Sequence, residues 1–282
     1  MTKKTRLIYE KSDKKNNADK NHYIKKTNVL WMPISVGQDY HELNKLIESM
    51  RLINKNFINT TLLKVIIVDL AQSYHLAIKS KTLPESMHQK AKKDGLDWKE
   101  SYSNFITEQL KHIKVEFSTW DQWLNHEYYP QARKKIDILY NDEKSDFKRF
   151  LEEDLLEFER RHFNREAIHF SNNEKEKCRE WIKDECAVLS IWVKDQISSD
   201  YPCIFYPKKM PAALSFIKHN FTHFISMFAA FSSKSNIKKF KLFHPRRNSL
   251  NDHNDVSLVV TPRKLSFYLK MKRDDNDYKR NC

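Results

Sequence analysis

Four short apolar runs, set far apart, constrain the fold of this chain more than any other feature. They are NVLWMPI (28–34), LKVIIV (63–68), HIKVEF (112–117) and CIFY (203–206). Each is β-branched or aromatic-rich and of the length expected for a buried parallel strand. Between them lie longer stretches of helical periodicity: 39–56, 70–80, 84–110, 119–140, 144–163, 174–197 and 211–231. Pro130 is expected to kink the fourth of these. Strand–helix alternation of this kind predicts an α/β domain with a parallel sheet flanked by helices. The helical stretch 119–197 must then pack beside that sheet.

Charge divides the chain differently. The formal net charge is +14, of which residues 1–26 carry +6 and residues 233–282 carry +8, so the middle is neutral. A neutral globule with two basic ends fits a polyanionic partner such as nucleic acid. The first 26 residues lack sustained periodicity and read as a basic, disordered arm. Residues 27–245 read as the main domain. Residues 246–282 read as a basic extension with two strand-like runs, VSLVV and KLSFYLK. The apolar stretch 213–231 is interrupted by Lys218, His219 and His223, so it reads as a core helix rather than a membrane span. The four cysteines form no CxxC pair, which predicts a reduced, cytoplasmic setting.

Glycine is scarce. The chain has two, where ordinary usage of about 7% would give roughly twenty. No GxGxxG, Walker A loop or GxSxG elbow can be built, which argues against ATP chemistry and the common serine-hydrolase design. No cofactor is expected. Gly95 lies in a Lys-rich stretch and reads as a helix end or turn. Gly37 stands two residues after Ser35, where a turn needs a positive φ.

In open α/β sheets, ligands bind beyond the carboxyl ends of strands where connections diverge. Ser35 follows the first predicted strand and Tyr206 ends the fourth, so both project at one edge of the sheet. On the helix 174–197, Trp181 and Glu185 share a face at i, i+4. An apolar stretch follows Glu185, placing its carboxylate at the core boundary, where it needs a partner such as a substrate ammonium. Strand alternation puts Trp31 and Pro33 on the face of Ser35. Lys79, Lys81, Lys90, Lys92 and Lys93 form a candidate phosphate-reading stripe.

These residues together resemble the tRNA-dependent cyclodipeptide synthases. ISVGQDYHELNKL is similar to the family's nucleophile segment, VIIVDLAQSYHLAIK continues the likeness, and WIKDE and CIFYP match its later aromatic-to-glutamate and tyrosine motifs in order and spacing. The likeness covers roughly 27–232. Gln38 and the Tyr206–Pro207 pair place it with the branch that has a variable residue after the serine and proline after the tyrosine. The family's usual glycine and tyrosine are replaced by Pro33 and Trp181.

The resemblance implies a Rossmann-like domain similar to the catalytic domain of tyrosyl-type class I aminoacyl-tRNA synthetases, without their ATP site. It implies a monomer that makes a cyclic dipeptide from two aminoacyl-tRNAs, through aminoacyl and dipeptidyl esters on Ser35. Glu185 would hold the substrate ammonium beside Trp181, and Tyr206 would relay a proton. The substrate pocket would involve Trp31, Pro33, Gly37, Gln38, Val188, Ile204 and Pro207. The alternative is a synthetase-like tRNA-binding protein without catalysis.

Overall fold

A computed structural model of the chain describes residues 6–9, 24–38, 41, 43–192, 203–206, 210–221 and 225–230. The extension expected at 246–282 lies outside them, as does Pro207.

The centre is a six-stranded sheet of β1 (Arg6–Tyr9), β2 (Val29–Ser35), β3 (Leu62–Val68), β4 (Lys114–Thr119), β5 (Cys203–Tyr206) and β6 (Ile225–Ala230), in the order β1-β6-β5-β2-β3-β4. Five strands are parallel, and β1 closes one edge antiparallel to β6. The chain builds β2, β3 and β4 outward in one direction, then returns to lay β5 against the other side of β2. The connections therefore diverge between β2 and β5, and a crevice is expected at their carboxyl ends.

The helices are α1 (Leu43–Asn56), α2 (Gln72–Ser80), α3 (His88–Gln109), α4 (Trp120–Leu124), α5 (Tyr129–Asn141), α6 (Phe147–Glu166), α7 (Asn172–Trp192) and α8 (Ala212–Phe221). Period-two alternation along the buried strands divides the core into two layers. Leu30, Met32, Ile34, Leu63, Val65 and Ile67 pack on one side with residues of α1 and α3. Trp31, Ile66, Val68 and Ile204 pack on the other with residues of α4 to α8. The long helical insertion thus covers the face that carries Ser35.

Several expectations are corrected. The arm expected to be disordered supplies the edge strand β1, because the exposed edge of β6 offers RLIY a full ladder of partners. Helix 211–231 stops at Phe221, and ISMFAA becomes β6, paired on both sides. A short apolar run fits either period, and pairing in the sheet decides it. Pro130 does not kink a continuous helix. It sits in the first turn of α5, where its missing N–H has no helical acceptor to lose, and the chain between α4 and α5 leaves helical geometry.

Gly95 is neither a helix end nor a turn. It lies inside α3, where an added Cβ would stand 2.6 Å from the Cβ of Asp69. Asp69 is buried just past β3, and its Oδ1 accepts hydrogen bonds from the backbone N–H of Leu70 (2.9 Å) and of Trp120 (3.1 Å) at the start of α4. Desolvation raises its pKa, and these N–H donors oppose the shift. Glycine lets α3 approach this clamp. Gly95→Ala is expected to lower stability by roughly 1–2 kcal/mol, because the clash with the Asp69 side chain outweighs the gain in helix propensity. Thermal unfolding measures this, and an unchanged Tm would refute the tight contact.

Candidate active site

The β2–β5 ladder is short. Among the described residues, only Leu30–Cys203 and Trp31–Ile204 are paired. Beyond them the strands part, and Ser35 and Tyr206, 171 residues apart in sequence, meet across the gap with Ser35 Oγ 3.0 Å from the Tyr206 hydroxyl. A cavity of ≈ 140 Å³ opens there.

The turn after Ser35 fixes its backbone. Gly37 has φ +77°, in the region that disfavours side chains. An added Cβ would meet nothing within 4 Å, so conformation rather than crowding requires glycine. Gly37→Ala is expected to cost about 1–2 kcal/mol of turn stability, with Gly37→Asn milder because Asn tolerates this region. Chemical denaturation of the two variants measures this. The turn is closed by the Gln38 N–H, which donates to the Ser35 carbonyl at 3.4 Å.

His41, which the sequence left unassigned, holds this turn. It is buried, and its Nδ1 accepts the Ser35 backbone N–H at 3.0 Å. Desolvation holds its pKa down to about 3, with the Ser35 carbonyl oxygen, 3.1 Å from the same Nδ1, opposing, so the ring is neutral at physiological pH. Its ring stands edge-on to that of Tyr206, 5.8 Å between centroids. His41 thus braces the backbone of one residue and the ring of the other. It bonds the Ser35 main chain, not the hydroxyl, so the arrangement differs from a serine–histidine base pair.

Glu185 lines the cavity from α7. Desolvation pushes its carboxyl up to about 8, the charges of Asp154 and Asp184 push the same way, and Trp181 and Arg161 oppose them. It is therefore mostly neutral near pH 7. One turn earlier on α7, the Trp181 indole is wedged between Tyr74, stacked at 5.9 Å, and the edges of Phe158 and His75 at 5.1 and 5.4 Å. Its Nε1 has no hydrogen-bond partner of regular geometry among the described residues.

Ser35, Trp181, Glu185, Tyr206, Pro33, Gln38 and Ile204 all line the one cavity. Trp31 and Val188 are fully buried behind its wall. Trp31 acts on the cavity through Trp192, which lines it and stacks on Trp31 at 5.2 Å. The sequence reading missed Arg161, His75 and Phe158. Arg161 is hidden in the charged run ERRHF, and His75 stands in SYH with no motif around it. Asp154 accepts the Ala212 and Ala213 N–H groups (2.8 and 2.7 Å), capping α8 so that Pro211 and Leu214 close the rim.

The lysine stripe is less available than its sequence implies. Lys79 pairs with Glu166, Lys81 with Glu174 (3.4 Å), Lys90 with Asp94 (2.7 Å) and Lys92 with Asp121 (3.2 Å), while Lys93 is exposed. Among the described residues, no cluster of His, Cys, Asp or Glu could hold a metal ion, and no helix is long and apolar enough to cross a membrane.

No protein-family model and no curated protein matches the chain. Solved structures do. A cyclodipeptide synthase from Fluoribacter dumoffii superposes with a TM-score of 0.67 at 20% identity, covering 80% of this chain and 98% of that one. A cyclodipeptide synthase from Candidatus Glomeribacter gigasporarum, bound to Phe-tRNAPhe, gives 0.60 at 12% identity over 87% and 100%. A Mycobacterium tuberculosis protein, described as relating cyclodipeptide synthetases to type I tRNA synthetases, gives 0.54 at 10% over 82% and 94%. The chain, a parallel α/β sheet flanked by helices with a serine and a tyrosine at its switch point, has the fold of the cyclodipeptide synthases.

Proposed function

We propose that this protein is an aminoacyltransferase that joins the aminoacyl groups of two aminoacyl-tRNAs into a cyclic dipeptide. The observation that carries this reading is the pairing of Ser35 Oγ with the Tyr206 hydroxyl at 3.0 Å, in a cavity that Glu185 lines. The solved neighbours are named as synthases of this kind, one of them bound to an aminoacyl-tRNA.

Each step balances without an external reagent. Ser35 Oγ attacks the ester carbonyl of the first aminoacyl-tRNA. An ester to Ser35 forms, and the terminal ribose hydroxyl of the tRNA leaves with the serine proton, passed through Tyr206. Glu185 holds the α-ammonium of the bound residue. After passing one proton to the Glu185 carboxylate, that amine attacks the ester carbonyl of the second aminoacyl-tRNA, forming an amide while its second proton leaves on the ribose hydroxyl of the released tRNA. The new terminal amine then attacks the Ser35 ester, closing the ring and returning a proton to Ser35. The substrate arrives as an activated ester, so positioning and polarisation can supply most of the acceleration without a triad. Val68, Trp120, Leu189, Trp192 and Ile204 give the cavity apolar walls suited to an uncharged side chain.

We read residues 27–245 as the catalytic unit and the basic ends, with Lys93, as the contacts for tRNA phosphates. Mass spectrometry of the medium of cells expressing the protein tests the function directly. New cyclic dipeptide masses are expected. Their absence, with salt-dependent tRNA binding retained, would leave the non-catalytic tRNA-binding reading.

A further inference from the structure

His75 reaches the cavity wall from α2, and nothing in the transfer steps above uses it. It stands edge-on to Phe158 at 4.5 Å and to Trp181 at 5.4 Å. Its Nδ1 lies 3.3 Å from Nε2 of His162 on α6, which is itself buried. Desolvation holds His75 down to about 3, and His162, Arg161, Lys79 and Arg165 around it push the same way. His162 is lowered too, again chiefly by desolvation, with Lys79, Arg161 and Arg165 acting in the same sense and Glu166 opposing. Two neutral imidazoles therefore share one hydrogen bond.

The unshared nitrogens decide which ring donates. His162 Nδ1 is buried with no partner among the described residues. If His75 donated, His162 would carry its proton on that Nδ1, as an orphaned buried N–H. If His162 donates, the orphan is a lone pair, which buried sites tolerate better. The second arrangement leaves His75 protonated on Nε2, and that nitrogen has no partner among the described residues.

At this end of the cavity Glu185 is the acceptor, and the Trp181 indole, the Arg161 guanidinium and His75 are donors. An aminoacyl group carries its amine and its carbonyl on the same carbon. Once the amine sits on Glu185, the carbonyl oxygen lies within one residue's reach and needs a donor.

We propose that His75 is a further substrate-contacting residue of this site, whose Nε2–H donates to a carbonyl oxygen of the aminoacyl group held against Glu185, with His162 fixing the tautomer. This rests on the aminoacyl-transfer reading. The test uses ¹⁵N-histidine-labelled protein and the alanyl and leucyl amides of 3′-amino-3′-deoxyadenosine, which carry an amide where the substrate has an ester. NMR is expected to show His75 protonated on Nε2 and its resonance shifting on saturation with probe. Probe affinity is expected to fall about tenfold in His75→Phe, the loss of about one buried hydrogen bond, and to recover in His75→Gln, which keeps an N–H near that position. His162→Phe is expected to leave His75 in mixed tautomers.

Protonation of His75 on Nδ1, an unshifted resonance at saturation, absence of probe binding, or undiminished affinity in His75→Phe would each overturn the proposal. If the probe binds and shifts His75 while the wild type makes no cyclic dipeptide, the contact stands and the transfer reading falls.

Discussion

Replacing Ser35 with alanine is expected to abolish cyclic dipeptide formation while leaving tRNA affinity unchanged. Ser35 Oγ is the group placed against Tyr206 at the crevice, and its loss removes the atom on which both covalent esters would form. Hydrogen-bond donors in the cavity cannot replace an acyl acceptor, so the loss is to background, at least about 10³-fold by analogy with deletion of other catalytic nucleophiles. Product masses should vanish, and intact-protein mass spectrometry should show no aminoacyl adduct after mixing with aminoacyl-tRNA. Persistent product from the Ala variant would rule out the covalent route. The folded core should be unaffected, because the change removes one partly exposed hydroxyl.

Glu185→Gln is expected to do two opposite things. It keeps the shape of the side chain but removes the charge that would hold the substrate ammonium. Removing one member of a buried charge pair costs about 2–5 kcal/mol, or roughly 30- to 4,000-fold in the proposed acylation of Ser35. Stability should change the other way. The carboxyl is raised from 4.5 to about 8 by desolvation, so the folded protein binds a proton that the unfolded chain has released between those values. This makes the wild type less stable as pH rises through that window, and glutamine cannot lose a proton there. The variant should therefore unfold at a higher temperature than the wild type at pH 8, with the gap closing toward pH 5. Parallel melting curves at the two pH values would sink the assignment of Glu185 as a strained, desolvated acid.

The parts of this molecule legible in sequence were those set by a strong local period. Trp31, Pro33 and Ser35 on one strand face, and Trp181 with Glu185 on one helix face, follow from backbone geometry alone. The positive φ at Gly37 was equally readable, since a lone glycine after a strand has few other uses. What the sequence hid depends on tertiary partners. ISMFAA carries no mark of being a strand until β5 and β1 lie beside it. Gly95 needs Asp69, 26 positions earlier, to explain it. The lysines looked like a stripe because the carboxylates that pair with four of them lie mostly on other elements. His41 and His75 looked ordinary because burial and a single bond from another residue define their roles, and neither leaves a pattern in one dimension.

The meeting of Ser35 with Tyr206 also has a temporal side. The two groups sit on neighbouring strands but are translated far apart, and β5 can dock only after α4 to α7 have been made. A nascent chain that has emerged through α6 already displays the serine. It lacks both the phenol and Glu185. Contacts of such long sequence separation form late in folding, so under the proposed function the half-made protein could not yet carry out acyl transfer.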